Sequence, residues 1–162
     1  MILYLDASAL VKRYTEERGT VEVKESISRA ATVGTSLISR AEVAAAFAKS
    51  VRTSALTSDE ATQALHRFRL QWASYVRVRL SESVVARADS LAWRHGLRGY
   101  DAVHLAAALT WRDALDAGVV MATFDRALWK VAGQAGLDVF PSDLPALVEE
   151  WQRSRNASQA AK

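Results

Sequence analysis

The stretch Ile2-Leu3-Tyr4-Leu5-Asp6-Ala7-Ser8-Ala9-Leu10-Val11 decides the fold. Four apolar residues in a row leave no wet face, which predicts a strand buried on both sides. Asp6 ends the run, and from Ser8 the pattern turns helical, with Leu10 and Val11 apolar ahead of Lys12 and Arg13. Gly19 breaks this helix and Thr20 opens another, to about Ala31. The same strand-then-helix unit recurs downstream. Residues 32–38 predict a second strand, and Ser39 caps an Ala-rich helix over 40–52. Thr57 with Glu60 three residues later is a capping box for a helix to about Trp72. Residues 75–80 alternate, as an edge strand with one wet face does. A helix over 82–95 stops at Gly96, and Asp101 opens another to about Ala117. Residues 119–123 and 137–140 complete the strands, with a helix beginning at Asp125 between them. Alternating strands and helices predict an α/β three-layer sandwich: a parallel central sheet of about five strands with helices on both faces. One domain over residues 1–145 is expected, followed over 146–162 by a helical turn and a polar tail that frays.

Composition removes much of the competing chemistry. A chain of 162 residues suits a single domain. It has no cysteine, which excludes disulfides, thiolate zinc sites, iron–sulfur clusters and a cysteine nucleophile. Twenty-one basic against 18 acidic residues give +3, which permits a polyanionic partner without requiring one. No basic segment precedes the first apolar run, so it does not read as a signal peptide. No apolar run approaches the roughly 18–20 residues of a membrane span. The expected setting is cytoplasmic, with no membrane. P-loop, dinucleotide and nucleophile-elbow signatures are missing from the letters. An aspartyl-phosphatase pattern would need a second Asp where Ser8 stands.

In open α/β sheets, ligands bind beyond the carboxyl ends of the strands. Asp6 follows the first strand, Glu42 lies in the first turn after the second, and Asp125 lies just past residues 119–123. If the strands are parallel these three meet at one sheet edge, and Asp101 joins them if its helix starts there. Each acid also has a capping explanation. Ser39 and Glu42 have capping-box spacing, and Asp6, Asp101 and Asp125 suit helix N-termini. Taken together, gathered carboxylates repel one another unless a cation neutralises them. An all-oxygen donor set points to Mg²⁺ or Mn²⁺, and the count of ions, one or two, stays open.

At these residues the chain resembles the PIN-domain family, most closely the VapC-type toxins of toxin–antitoxin pairs. Residues 5–11, Ser39-Arg40-Ala41-Glu42-Val43, residues 97–106 and Thr123-Phe124-Asp125-Arg126-Ala127-Leu128 are similar to the family's four motifs, in order. The resemblance covers roughly residues 1–141. It implies a PIN-type sandwich and a Mg²⁺- or Mn²⁺-dependent endoribonuclease that hydrolyses RNA to 5′-phosphate and 3′-hydroxyl ends. Asp6, Glu42, Asp101 and Asp125 become the catalytic and metal-holding residues. It also implies a VapB-type antitoxin partner and a homodimer. The helix pair 40–52 and 58–72 would then grip the antitoxin, though its apolar face also reads as intramolecular core.

Ser8 and Thr123 stand beside the acids, either holding a water or second contact or simply capping helices. Arg98, just ahead of Asp101, is a candidate substrate contact. His104 lies one turn after Asp101 among apolar neighbours, which favours a buried, hydrogen-bonded histidine over a ligand. Arg67, Arg69, Arg77, Arg79, Arg87 and Arg94 form either a track for RNA phosphates or a solvated surface. Trp72, Trp93, Trp111 and Trp129 read as core or interface packing. The reading from a different class is a catalytically silent antitoxin- or RNA-binding module, in which the acids only cap helices.

Overall fold

The first apolar run is a strand, β1 (Ile2–Leu5), and its side chains alternate between two cores. Leu3 and Leu5 point to one face of the sheet, Tyr4 to the other, and all three are fully buried. That is why the run has no polar position. The computed structural model describes residues 1–160, with side chains described through residue 157.

After β1 come α1 (Ala7–Tyr14), α2 (Thr20–Ser28), β2 (Thr32–Ser36), α3 (Ser39–Arg52) and α4 (Ser58–Gln71). A 3₁₀ turn, Trp72–Ser74, leads to β3 (Val76–Val78) and α5 (Glu82–His95). The chain continues through α6 (Gly99–Leu115), β4 (Val119–Ala122), α7 (Arg126–Gln134), β5 (Asp138–Phe140) and α8 (Leu144–Ala160). The five strands form one sheet in the order β3-β2-β1-β4-β5, every pair parallel. The expected α/β architecture is therefore the observed one.

Helices cover both faces. Leu10, Val23, Val43, Phe47 and Phe68 of α1–α4 pack on Leu3 and Leu5. Leu105, Leu109 and Trp111 of α6, with Leu128 and Val131 of α7, pack on Tyr4 and Met121. The apolar face of the α3–α4 pair is thus part of the chain's own core. β3 lies at the sheet edge as expected, but Val76 and Arg77 are both exposed, so the strand does not keep one face dry. Gly96 closes α5 in the left-handed region (φ 65°), where a side chain would be strained.

Three local expectations are corrected. Ser39 does not cap α3. Ile38 holds the N-cap place without a side-chain bond, because the Ser39 hydroxyl is buried against Thr35 Oγ1 at 2.7 Å. The segment after Pro145 is no single turn: α8 runs to Ala160, since Ala, Glu, Gln and Arg favour helix and no glycine or proline follows Pro145. Its Trp151 ring stacks on Phe124, centroids 6.0 Å apart. Trp93 is not in the core of the chain. It is 92% exposed, because the buried positions of α5, Val84 and Ala88, lie on another side of that helix.

Candidate active site

The order β3-β2-β1-β4-β5 makes β1 the place where the chain reverses its direction of strand addition. Successive strands build outward on one side through β2 and β3, then on the other through β4 and β5. Crevices form at such switch points, outside the carboxyl ends of the strands. Asp6 leaves β1 there, and Thr123 and Asp125 leave β4.

Asp6 is the N-cap of α1 and is 4% exposed. Its Oδ1 accepts from the Ala9 amide at 2.8 Å and the Ser8 hydroxyl at 2.7 Å. Its Oδ2 accepts from Thr123 Oγ1 at 2.6 Å. Burial pushes the Asp6 carboxyl above its ordinary range, against the lowering effects of His104 and of the bonds from Thr123, Ala9 and Ser8. Neither Ser8 nor Thr123 is a helix cap. Ser8 Oγ also accepts from the Phe124 amide at 2.9 Å, and Thr123 Oγ1 accepts from the Asp125 amide at 3.1 Å. Two short side chains therefore stitch the β1–α1 corner to the β4–α7 corner.

Glu42, on α3, is not part of a capping box. Its Oε2 lies 2.7 Å from His104 Nε2, and His104 Nδ1 lies 3.0 Å from the Tyr4 hydroxyl. Burial, with the charges of Asp6 and Glu42, holds the Tyr4 phenol well above its ordinary pKa, so it keeps its proton. The protonated phenol and the imidazole Nδ1 share one hydrogen bond, and Nε2–H donates to Glu42. The histidine is buried, as its apolar neighbours predicted, and both ring nitrogens are engaged. Its work is to orient Glu42. Tyr4 is the residue sequence reasoning missed. The available signal was one hydroxyl in the middle of an aliphatic strand. Tyr4→Phe keeps the ring and removes that hydroxyl. Stability falls by about 1 kcal/mol for the unpaired ring nitrogen. A chemical step that uses Glu42 slows roughly tenfold. Thermal melting and single-turnover RNA cleavage measure the two; an unchanged cleavage rate removes Tyr4 from the site.

Asp101 sits in the first turn of α6, and Asp125 caps α7 by accepting from the Leu128 amide at 3.0 Å. Arg98 joins them: its Nε donates to Asp101 Oδ2 and its Nη2 to Asp125 Oδ2, each at 2.7 Å. Asp6, Ser8, Glu42, Arg98, Asp101, His104 and Asp125 all line one pocket of about 280 Å³. A larger groove, about 730 Å³, adjoins it through Glu42, Arg98 and Asp101, with Val85, Ala88, Ala92 and Val103 as apolar walls. The acid chemistry sits in the smaller pocket.

The donor set suits a hard divalent cation: four carboxylates face one small pocket, and the most buried of them carries a charge that its surroundings penalise. Among the described residues, no three acids or histidines already stand close enough to clasp an ion. Asp101 and Asp125 spend an oxygen each on Arg98. His66 and His95 do not line this pocket.

Comparison with known proteins bears on the family and the fold. The PIN domain family model matches residues 3–134. Ribonuclease VapC45 of Mycobacterium tuberculosis is 38% identical over 143 residues, which is 88% of this chain and 97% of that protein. Among solved structures, PAE2754 from Pyrobaculum aerophilum superposes with a TM-score of 0.60 at 19% identity, covering 92% of this chain and 90% of its own. A toxin–antitoxin complex from Klebsiella pneumoniae gives 0.56 at 19% identity, covering 76% and 86%. No helix among the described residues is long and apolar enough to cross a membrane.

Proposed function

The chain belongs to the PIN-domain family and to its VapC ribonuclease branch, and from that premise we propose that it is an endoribonuclease, the toxin of a toxin–antitoxin pair. It hydrolyses RNA phosphodiesters to 5′-phosphate and 3′-hydroxyl ends. It uses Mg²⁺ or Mn²⁺ held by Asp6, Glu42, Asp101 and Asp125, and a VapB-type antitoxin restrains it in the cytoplasm. A homodimer is part of the same reading. The observation that carries it is the meeting of four carboxylates, from four helix starts, around one pocket at the switch point of the sheet.

When bound, the ion supplies the positive charge that neutralises the phosphodiester and lowers the pKa of water. The chain's own residues arrange the rest. Ser8, Thr123 and the Ala9 amide fix the Asp6 carboxylate, so it cannot turn away from the pocket. His104 fixes Glu42 in the same manner. With both its nitrogens committed, His104 is not a general base toward RNA. Asp125 Oδ1 stays on its helix cap, which leaves Oδ2 as the oxygen turned to the pocket.

Purified, antitoxin-free protein is expected to cut RNA with Mn²⁺, to stop in excess EDTA and to recover when Mn²⁺ is restored. Mapping should place 5′-monophosphates at the cuts. Equal cutting in EDTA rejects the metal mechanism. Loss of cutting on replacing the 2′-hydroxyl at the cleavage site points instead to attack by the RNA's own hydroxyl.

The silent-module reading has a specific observation behind it: Asp6 and Asp125 do cap helices. Glu42 and Asp101 make no cap bond. Calorimetric titration with Mn²⁺ separates the two readings. Binding by the wild type that Asp101→Asn abolishes supports the nuclease; no binding, or identical binding, supports the module.

A further inference from the structure

Arg98 is the N-cap residue of α6, with extended backbone (φ −64°, ψ 151°) and no capping bond from its side chain. Its guanidinium instead spans two helix N-termini. It reaches Asp101 in the first turn of α6 and Asp125 at the cap of α7, by two bonds of 2.7 Å. The planar fork of arginine makes this double contact from one side chain, which an ammonium matches poorly. The side chain is 74% exposed, while those of Asp101 and Asp125 are 15% and 27% exposed. The acids are set into the pocket, and the cation lies over them from a short loop.

Both bonds end on carboxylates that face the pocket, and one of them takes the oxygen that Asp125 has left to offer. Asp125 Oδ1 is committed to the Leu128 amide, so Oδ2 is the oxygen it can offer, and Oδ2 is where Arg98 binds. Asp101 likewise gives Oδ2 to Arg98. Release is cheap for so exposed a side chain, since exposed ion pairs are individually weak. A divalent charge replaces a single one to advantage among clustered carboxylates.

We propose that Arg98 is an exchangeable counter-cation: it holds Asp101 and Asp125 together in the ion-free protein and is displaced from them when a divalent cation binds. This rests on the metal-dependent reading of the same pocket. The residue thus acts through the two acids, as a positioning residue that sets how much cation the site requires. Once displaced, the guanidinium stands at the rim shared by the acidic pocket and the apolar groove.

The test is calorimetric titration of the antitoxin-free protein with Mn²⁺ alone, for wild type, Arg98→Gln, Arg98→Lys and Asp6→Asn, with melting curves in EDTA. Removing the competitor is expected to tighten Mn²⁺ binding about three- to tenfold in Arg98→Gln. The same variant should melt below wild type in EDTA and gain more from added Mn²⁺. Arg98→Lys should fall between the two. Equal or weaker Mn²⁺ binding by Arg98→Gln overturns the exchange, because Arg98 would then be ordering the acids for the ion. Wild type and Asp6→Asn binding Mn²⁺ alike would overturn the metal reading itself, a result separable from failure at Arg98 alone.

Discussion

Asp6→Asn abolishes RNA cleavage, a loss on the order of 10³-fold, yet makes the ion-free protein more stable at neutral pH. The two effects have one cause. Asp6 is buried where its charge is penalised, so its folded pKa lies above the ordinary value near 3.8. A raised folded pKa means the proton is held more tightly folded than unfolded. Its stabilising contribution is full below pH 3.8 and is lost as pH rises through the folded value. At neutral pH the unfolded chain holds this carboxylate charged in water, and folding must either desolvate that charge or protonate it, a penalty that unfolding relieves. Asparagine cannot ionise, still caps α1 through Oδ1, and is as good an N-cap as aspartate. The stability gain of Asp6→Asn should grow from nothing in strong acid to its full size above the folded pKa. Asp6→Ala is the contrasting control: it loses the bond to the Ala9 amide, which costs about 1 kcal/mol. Thermal melting in EDTA across a pH series checks both. A wild type at least as stable as Asp6→Asn at pH 7 contradicts the account.

Gly34→Ala is expected to be the most damaging single-methyl change in the sheet. Gly34 lies in β2, paired with β1 on one side and β3 on the other, so its backbone has nowhere to move. A Cβ built there lies 2.5 Å from Trp111 Cζ3 and 2.6 Å from Cη2. The indole cannot swing aside easily. It is buried in the α6 side of the core with Tyr4, ring centroids 6.4 Å apart. Overpacking of this kind costs about 1–3 kcal/mol. In a chain of this size that lowers the melting temperature by roughly 2–10 °C. Because α6 also carries Asp101 and His104, cleavage should fall even where the variant stays folded. Trimming the ring in a Gly34→Ala/Trp111→Phe double variant should recover much of the loss. A single variant that melts with wild type shows that α6 yields to the methyl group.

What could be read from the letters was what is local. β1 and β4 are continuously apolar because both faces are covered, and a run of four such residues states that directly. The Thr57–Glu60 box was legible because both partners lie within one turn, and both of its bonds form. The acids stood out because each follows an apolar strand or opens a helix. Ser39 and Glu42 have the same spacing as Thr57 and Glu60 but form no box. Ser39 is drawn to Thr35 and Glu42 to His104, 62 residues away. Tyr4 meets His104 across 100 residues. Spacing along a helix carries no information about a partner on another element. Tertiary burial decides these cases, and it turned two apparent caps into parts of the core and the site. The bridge from Arg98 to Asp125, 27 residues on, was hidden for the same reason.

The central place of β1 also sets when the enzyme can come into being. β1 pairs with residues 32–34 on one side and with residues 119–122, made much later, on the other. The bond from Thr123 to Asp6 spans 117 residues. While the chain is still being synthesised, β1 has only half its sheet and Asp6 lacks its partner. The pocket closes only after residues 119–125 have been made, and bringing them back to Asp6 is a step with a high loop-closure cost. A nuclease with this topology has no assembled site until its β4–α7 corner has been made and has docked on β1.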